Sequence, residues 1–180
     1  MNESCASPVR LIVLIPHRDT RILLRGYKEG FFRRGFHGVY SFPLVSPLAA
    51  VREPLPFSVL KETAQALRVR INGGDPQGKI HSGPWASLDI PGLPVLSGPS
   101  LDLPLREFSC PEMVSPCSPS ILGFLFYREK PGTYPGIPDF SFRAAALANM
   151  AVIPLGSGSG DFSFAWEIGR LQWLPPGGRR

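Results

Sequence analysis

The pattern of apolar and polar positions along the chain predicts three strands, two of them from continuous apolar runs and one from alternation. Residues 11–15 (LIVLI) form a continuous apolar run that ends at Pro16, which is typical of a buried central strand. Residues 121–127 (ILGFLFY) predict a second buried strand for the same reason. Residues 162–174 (FSFAWEIGRLQWL) begin with large apolar side chains at every second position, and this period of two predicts the strand that closes the fold.

A longer period, near four residues, predicts an amphipathic helix over residues 19–34. The apolar side chains on one face of this helix would be Leu23, Tyr27 and Phe31. Asp19 or Thr20 would cap its start, because a side-chain oxygen can accept a hydrogen bond from a backbone N–H of the first turn. The glycines inside this stretch each cost roughly 1 kcal/mol in a helix, so a hairpin with residues 21–25 as its return strand stays open as an alternative.

The clearest helical pattern covers residues 58–68, with Ser58 as its cap. Three apolar side chains share one face of this helix: Leu60, Ala64 and Leu67. Residues 72–78 (NGGDPQG) predict a loop, since glycine, asparagine and proline are concentrated there. Residues 142–155 (FRAAALANMAVIPL) fit either a short helix or a buried strand, because alanine favours a helix and the AVI sequence favours a strand.

Prolines interrupt the other predicted strands. Residues 39–45 predict a strand that Pro43 and Pro47 displace to an edge or a bulge, because proline has no backbone N–H to donate. Residues 79–90 and 95–105 predict the strands of an antiparallel meander. Three segments rich in proline, glycine or serine predict loops: 109–120, 130–139 and 156–161.

Together these elements predict an α+β fold, a single domain with about seven strands and two or three helices. The chain has 180 residues, which is enough for one domain with a hydrophobic core. The domain would cover residues 10–175, between an N-terminal tail at residues 1–9 and a C-terminal tail at residues 176–180. A hydrophobic content of 43% with 18% charged residues indicates a globular protein, and the 21 prolines and 19 glycines indicate many turns.

The cysteines give no indication of a metal site or of a disulfide framework. Cys5, Cys110 and Cys117 lack the CxxC spacing of zinc sites, and three cysteines cannot all pair with one another. The sequence therefore predicts no cofactor and a reducing, cytoplasmic location. The polar N-terminus and the short apolar run at 11–15 fit neither a signal peptide nor a membrane span, so no membrane partner is expected.

Positive charge is concentrated between residues 18 and 37, where six cations and two acids supply most of the net charge of +5. The cations are Arg18, Arg21, Arg25, Lys28, Arg33 and Arg34. Aromatic side chains interleave with them, and this combination suits RNA, since guanidinium groups neutralise phosphates and ring faces stack on unpaired bases. Two other interpretations stay open: an amphipathic helix whose arginines are merely solvated, and a helix that lies on a membrane surface.

The order of the predicted elements resembles that of the two-histidine (2H) phosphoesterases, which include 2′-5′ RNA ligase-like proteins and cyclic phosphodiesterases. Residues 39–48 look like the first motif strand of that superfamily. Residues 142–152 look like the second, whose form is F-R-P-H-hydrophobic-T, and Phe142 and Arg143 match its first two positions. The resemblance implies a two-lobed, mostly antiparallel sheet with a central cleft, in which Ser41 and Arg143 would help to hold a phosphate.

Both catalytic histidines of that superfamily are missing from this chain. Residues 40–44 read YSFPL, residues 144–147 read AAAL, and no histidine is followed by x-Ser/Thr. Because acid–base catalysis needs a titratable group within reach of the reacting oxygens, we expect a non-catalytic 2H phosphoesterase-like module that binds RNA or a nucleotide. The alternatives are a protein-interaction module that contacts an acidic partner, and an enzyme of unrecognised type built on His17, His37 or His81.

The remaining candidates for chemistry are interpreted as structural. His17 and Asp19 indicate a turn with a helix cap rather than a catalytic pair. The GSGSG run at residues 156–160 lacks the Lys-Ser/Thr of a phosphate-binding loop and predicts a turn. The three tryptophans are expected to pack in the core or at its rim: Trp85, Trp166 and Trp173.

Overall fold

The computed structural model describes six stretches of the chain: residues 7–36, 42–74, 79–103, 108–122, 141–155 and 163–174. Within these stretches the chain forms seven strands and two helices, and the predicted α+β class is confirmed. In chain order they are β1 (Val9–Pro16), α1 (Arg18–Arg33), β2 (Ser46–Val51), α2 (Phe57–Gly74), β3 (Lys79–Leu88), β4 (Leu96–Leu101), β5 (Met113–Pro116), β6 (Ser141–Leu155) and β7 (Ser163–Trp173).

The strands form one antiparallel sheet in the order β4-β3-β6-β1-β2-β5, with β7 also paired to β6. β6 joins three partners, because residues 141–143 pair with β3, residues 146–155 pair with β7, and β1 runs along its other side. The ambiguous residues 142–155 are therefore a strand. Their alanines suit this position, since the small side chains of Ala146 and Ala148 are fully buried between neighbouring strands.

β1 is buried on both faces, as its continuous apolar run predicts. Residues 11–14 are fully buried, and the strand lies between β6 and β2. Ile12 and Leu14 point into one core, whereas Leu11 and Val13 point into another. A strand covered on both faces has no position at which a polar side chain would reach water, so apolar residues are continuous rather than alternating.

The first core lies on the face of the sheet that both helices cover. From α2 it takes the three predicted side chains, Leu60, Ala64 and Leu67. Ile71 is also buried and continues this row by one more turn, so α2 reaches Gly74 and the loop predicted from residue 72 is wrong for its first three residues. The helix begins at Phe57, so Ser58 lies inside its first turn and not at the cap. Residues 75–78 are outside the described part of the chain.

The second core lies on the opposite face of the sheet. Besides side chains from β1 and β6 it contains Phe42, Val45, Leu88, Leu96, Cys117 and Ile121. Burial raises the pKa of the Cys117 thiol to about 12. Cys110 and Cys117 are both free thiols, and Cys5 is outside the described residues.

The strand predicted at residues 39–45 is wrong in its position. Residues 42–45 are irregular, and the strand β2 begins only at Ser46. Pro47 lies inside β2 opposite Val13, where the register with β1 shifts at a bulge. This position tolerates a proline because the bulge interrupts the regular hydrogen bonding between the two strands. Residues 39–41 are outside the described residues.

The loop predicted at residues 109–120 is also wrong in part, because Met113–Pro116 form the strand β5. β5 pairs with β2 at the edge of the sheet, and Cys117 directly after it is buried. A short edge strand accepts proline where a central strand would not, so the proline content of this segment concealed it. The meander of β3 and β4 and the closing strand β7 are confirmed.

Parts of other predictions fall outside the described residues. Ile121 and Leu122 are buried and Ile121 pairs with Ser100, but the rest of the strand predicted at 121–127 is not described. The same holds for the loops predicted at 130–139 and 156–161. In the stretches that are described, neither helix is long and apolar enough to span a bilayer.

Candidate ligand-binding cleft

Helix α1 starts immediately after β1, and its start is attached to β6. His17 is the N-cap, and its Nδ1 accepts a hydrogen bond from the backbone N–H of Asp19 at 3.4 Å. The predicted caps, Asp19 and Thr20, are therefore wrong, although a cap is present at this junction. Nδ1 of His17 also lies 3.5 Å from Oδ2 of Asp19. The backbone N–H of His17 donates to the carbonyl of Arg143 at 2.7 Å, and the N–H of Arg143 donates to Oγ1 of Thr20 at 3.3 Å.

The segment is a helix and not a hairpin, but its buried face differs from the predicted one. The buried side chains are Thr20, Leu24, Lys28 and Phe31. Of the predicted face, Phe31 is buried, Tyr27 is partly buried, and Leu23 is 43% exposed. The true face includes a threonine and a lysine, and an apolar pattern alone could not reveal it.

Next to this buried face, four cations form a row along the helix. Arg18, Arg21, Arg25 and Lys28 follow one another at intervals of three, four and three residues, which places them on one side of α1. We call this row the cationic stripe. It covers about 15 Å along the helix axis, given a rise of about 1.5 Å per residue.

The cationic stripe lines a cleft of about 700 Å³. Residues 42–45 (FPLV) line the cleft as well. β7 contributes Trp166, Ile168 and Leu171, and the remaining lining side chains are Ile15 and Ile22. Among these described lining residues there is no carboxylate and no imidazole, so the charge on the walls is entirely positive.

Lys28 connects the two walls of the cleft. Its side chain is only 4% exposed, and Nζ donates a hydrogen bond to the carbonyl oxygen of Phe42. Burial lowers the pKa of Lys28 from 10.5 to about 7, because removal from water disfavours the charged ammonium. An anion in the cleft would favour the ammonium and raise this pKa again.

The three arginines of the cationic stripe are exposed to solvent. Positive charge that lines a concave, partly apolar surface focuses the electrostatic potential and raises the local concentration of anions. The guanidinium groups can also bind phosphate oxygens with two parallel hydrogen bonds. The cleft can therefore attract an anion and orient it.

Three of the other predicted site residues, Arg33, Arg34 and Arg143, do not line the cleft. Arg33 lies in the last turn of α1, where its Nε donates to Oε1 of Glu29 at 3.1 Å, and Arg34 is the C-cap. Arg143 is exposed on β6, and its backbone holds the start of α1. Ser41 is outside the described residues. Four of the predicted cations thus lie together on the cleft, and three lie elsewhere.

Sequence reasoning missed the part of the cleft that is not helical. Trp85 packs against the first core, with its ring 6.2 Å from that of Phe31, as a core tryptophan should. Trp166 instead lines the cleft and is 45% exposed. The period of two in β7 was the available signal, because it places Trp166 and Ile168 on one face of the strand and Glu167 on the other. The sequence alone did not indicate which face stays open.

A resident metal ion is not indicated by the part of the chain that is described, since no three His, Cys, Asp or Glu side chains gather closely enough to hold one. Comparison with known proteins gives no further guide to the cleft. No family model, no curated protein and no solved structure matches this chain.

Proposed function

We propose that the protein binds RNA or a nucleotide in this cleft, with phosphates on the cationic stripe and a base against Trp166. The observation that carries the proposal is the convergence of four cations and one half-exposed indole on a single concave surface. Phosphate groups and flat aromatic bases are the two chemical features that such a surface complements.

The electrostatic part of the proposal rests on the arginines. Arg18, Arg21 and Arg25 are exposed, yet they line the same cleft, so one ligand can contact all three. Each phosphate that a cation neutralises releases counterions, and for a single strand the slope of log K against log[salt] is about −0.7 per contact. Three arginine contacts therefore correspond to a slope of about −2, and Lys28 would add to it when it is protonated.

The aromatic part rests on Trp166. Its indole is large enough to stack on a base, and it is 45% exposed on the wall formed by β7. Stacking of one base on an aromatic side chain contributes about 1–3 kcal/mol, with little dependence on the base. Affinity would thus come from charge and stacking together, with weak sequence preference.

The proposed function is binding without catalysis, and the proposal includes that the protein is a non-catalytic relative of the 2H phosphoesterases. The described lining has neither imidazole nor carboxylate, and β6 carries Ala145 and Leu147 at the positions of the motif histidine and threonine. Burial lowers the pKa of Lys28 to about 7, but its Nζ is already bonded to the Phe42 carbonyl. These features favour a ligand that is held rather than cleaved.

The test is a salt titration of single-stranded RNA binding by the wild type and two variants. The first variant is Arg18→Gln, Arg21→Gln and Arg25→Gln together, and the matched control is Arg33→Gln with Arg34→Gln, on the same helix but outside the cleft. Fluorescence anisotropy should show that the wild type binds RNA at low salt. The slope of log K against log[salt] should be smaller in magnitude by about 2 in the triple variant, and should change much less in the control.

Two outcomes would overturn the proposal. One is a wild type with no measurable affinity for RNA or nucleotides at low salt. The other is an equal loss in both variants, since that would mean that diffuse charge and not the cleft is responsible. If an acidic polypeptide such as polyglutamate bound more tightly than RNA, the site would instead belong to a protein-interaction module with an acidic partner.

A further inference from the structure

Four side chains of β7 lie on one face of the sheet. In an antiparallel sheet, directly paired residues point to the same side. The pairs are Trp166 with Val152, Ile168 with Met150, Leu171 with Ala148, and Trp173 with Ala146. All four β6 partners belong to the second core, so the four β7 side chains project to that side of the sheet as well.

A bulge in β7 is the reason that both tryptophans share this face. Trp166 and Trp173 are seven positions apart, so a regular strand would place them on opposite sides. Between Ala148 and Met150 the register shifts, because β6 advances by two residues while β7 advances by three, from Leu171 to Ile168. One extra residue on β7 reverses the alternation after it.

The partner of the bulge is held firmly. Asn149 lies on β6 at the shift, and its side-chain amide binds the backbone of Leu55 in both directions. Its Oδ1 accepts from the Leu55 N–H at 2.8 Å, and its Nδ2 donates to the Leu55 carbonyl at 2.9 Å. The register that brings the two tryptophans together is therefore supported from outside β7.

Both indoles are exposed, at 45% for Trp166 and 64% for Trp173. The bulge leaves about six strand intervals between them, which is about 20 Å at a rise of about 3.3 Å per residue. Trp173 lies in the cross-strand row that runs through Ala146 to Ile15, three residues before Arg18. The second indole is thus near the end of the sheet at which the cationic stripe begins.

We infer that the ligand is a single strand of roughly four to six nucleotides, with Trp166 and Trp173 as two separate stacking platforms. The inference rests on the proposed function and gives it a ligand class. At a rise of about 3.4 Å per nucleotide in a stacked strand, 20 Å corresponds to about six nucleotides, and an extended strand needs fewer. A mononucleotide can touch only one of the two indoles.

Charge complementarity identifies this occupant. The apolar side chains Ile168 and Leu171 lie between the two indoles on β7, and the arginines of the cationic stripe border the same cleft. Bases on the aromatic wall and phosphates on the basic wall satisfy both surfaces at once, as in other single-strand binding grooves.

The experiment compares a nucleoside monophosphate with oligonucleotides of two, four, six and eight residues that lack terminal phosphates, all on the full chain. For the hexamer, Trp173→Ala should weaken binding about tenfold, whereas the dinucleotide should bind as it does to the wild type. Trp166→Ala should weaken both. Trp173→Phe is the control, because a phenyl ring also stacks and should recover most of the hexamer affinity.

Failure of this inference can be told apart from failure of the proposed function. If Trp173→Ala changes hexamer binding by less than twofold, or if a mononucleotide binds as tightly as the hexamer, the two-platform ligand is wrong even though the cleft still binds. If no oligonucleotide of any length binds the wild type at low salt, the proposed function itself is wrong. Thermal unfolding of each variant checks that it is folded.

Discussion

Helix α1 presents two rows of side chains that differ in burial and in charge. The buried row (Thr20, Leu24, Lys28 and Phe31) packs towards the interior, and the cationic stripe borders the cleft. Only Lys28 belongs to both. The two rows of one helix therefore differ in role: apolar contacts hold the helix on the sheet, while the exposed arginines are available to a ligand.

The shared residue is the point at which the two roles conflict. Lys28 is 4% exposed, so its charge is costly for the fold, yet the same charge is favourable for an anionic ligand. Its bond to the Phe42 carbonyl and its lowered pKa are both consequences of this position.

The largest effect is expected in the buried row. Leu24→Ala should lower the free energy of unfolding by about 2–5 kcal/mol, because Leu24 is fully buried in the first core and its removal leaves a cavity. Leu23→Ala, on the adjacent exposed position, should change it by about 0.5 kcal/mol or less. Urea unfolding measures both, and equal losses would contradict the assignment of the two rows.

Lys28 should make stability depend on pH in the opposite sense to ligand binding. Its pKa is 10.5 in the unfolded chain and about 7 in the fold, so between these values the unfolded chain binds more protons. Stability should therefore be lowest below pH 7 and rise towards pH 10.5, by up to about 1.4 kcal/mol per pH unit. The difference in unfolding free energy between wild type and Lys28→Met isolates this contribution from that of the Cys117 thiol.

The same titration should weaken the ligand. As pH rises above 7, Lys28 loses its charge, so the affinity for an oligonucleotide without terminal phosphates should fall, whereas the affinity of Lys28→Met should stay constant. A stability difference and an affinity ratio that are both flat from pH 6 to pH 9.5 would show that Lys28 is not a titrating member of the cleft.

The smallest effect is expected at the end of the helix, away from both rows. Glu29→Gln removes the exposed ion pair with Arg33, which has the favourable i, i+4 arrangement, and should cost about 0.3–0.5 kcal/mol. The cost should vanish in 1 M NaCl because salt screens exposed charges. RNA affinity should not fall, and a fall would place the ligand on the last turn and not in the cleft.

Prediction from sequence was reliable where one local pattern decides the structure. β1, α2 and β7 follow from a continuous apolar run, a helical row and a period of two, and each is present. Prediction failed where proline was interpreted as a loop or edge signal from local sequence alone, because the neighbouring strands were not known. Met113–Pro116 is a strand because β2 offers it an edge. For residues 142–155 the sequence left a helix and a strand open, and pairing with β1, β3 and β7 decides for the strand.

The features of the cleft also divide into those that the sequence predicts and those that it does not. The positive charge of α1 is a property of its sequence, and the intervals between Arg18, Arg21, Arg25 and Lys28 follow from the geometry of any α-helix. Two facts needed the tertiary structure: that residues 42–45 and β7 form the facing walls, and that a bulge turns Trp173 to the side of Trp166. Local sequence determines which atoms a helix carries, but contacts between residues distant in the chain determine what those atoms face.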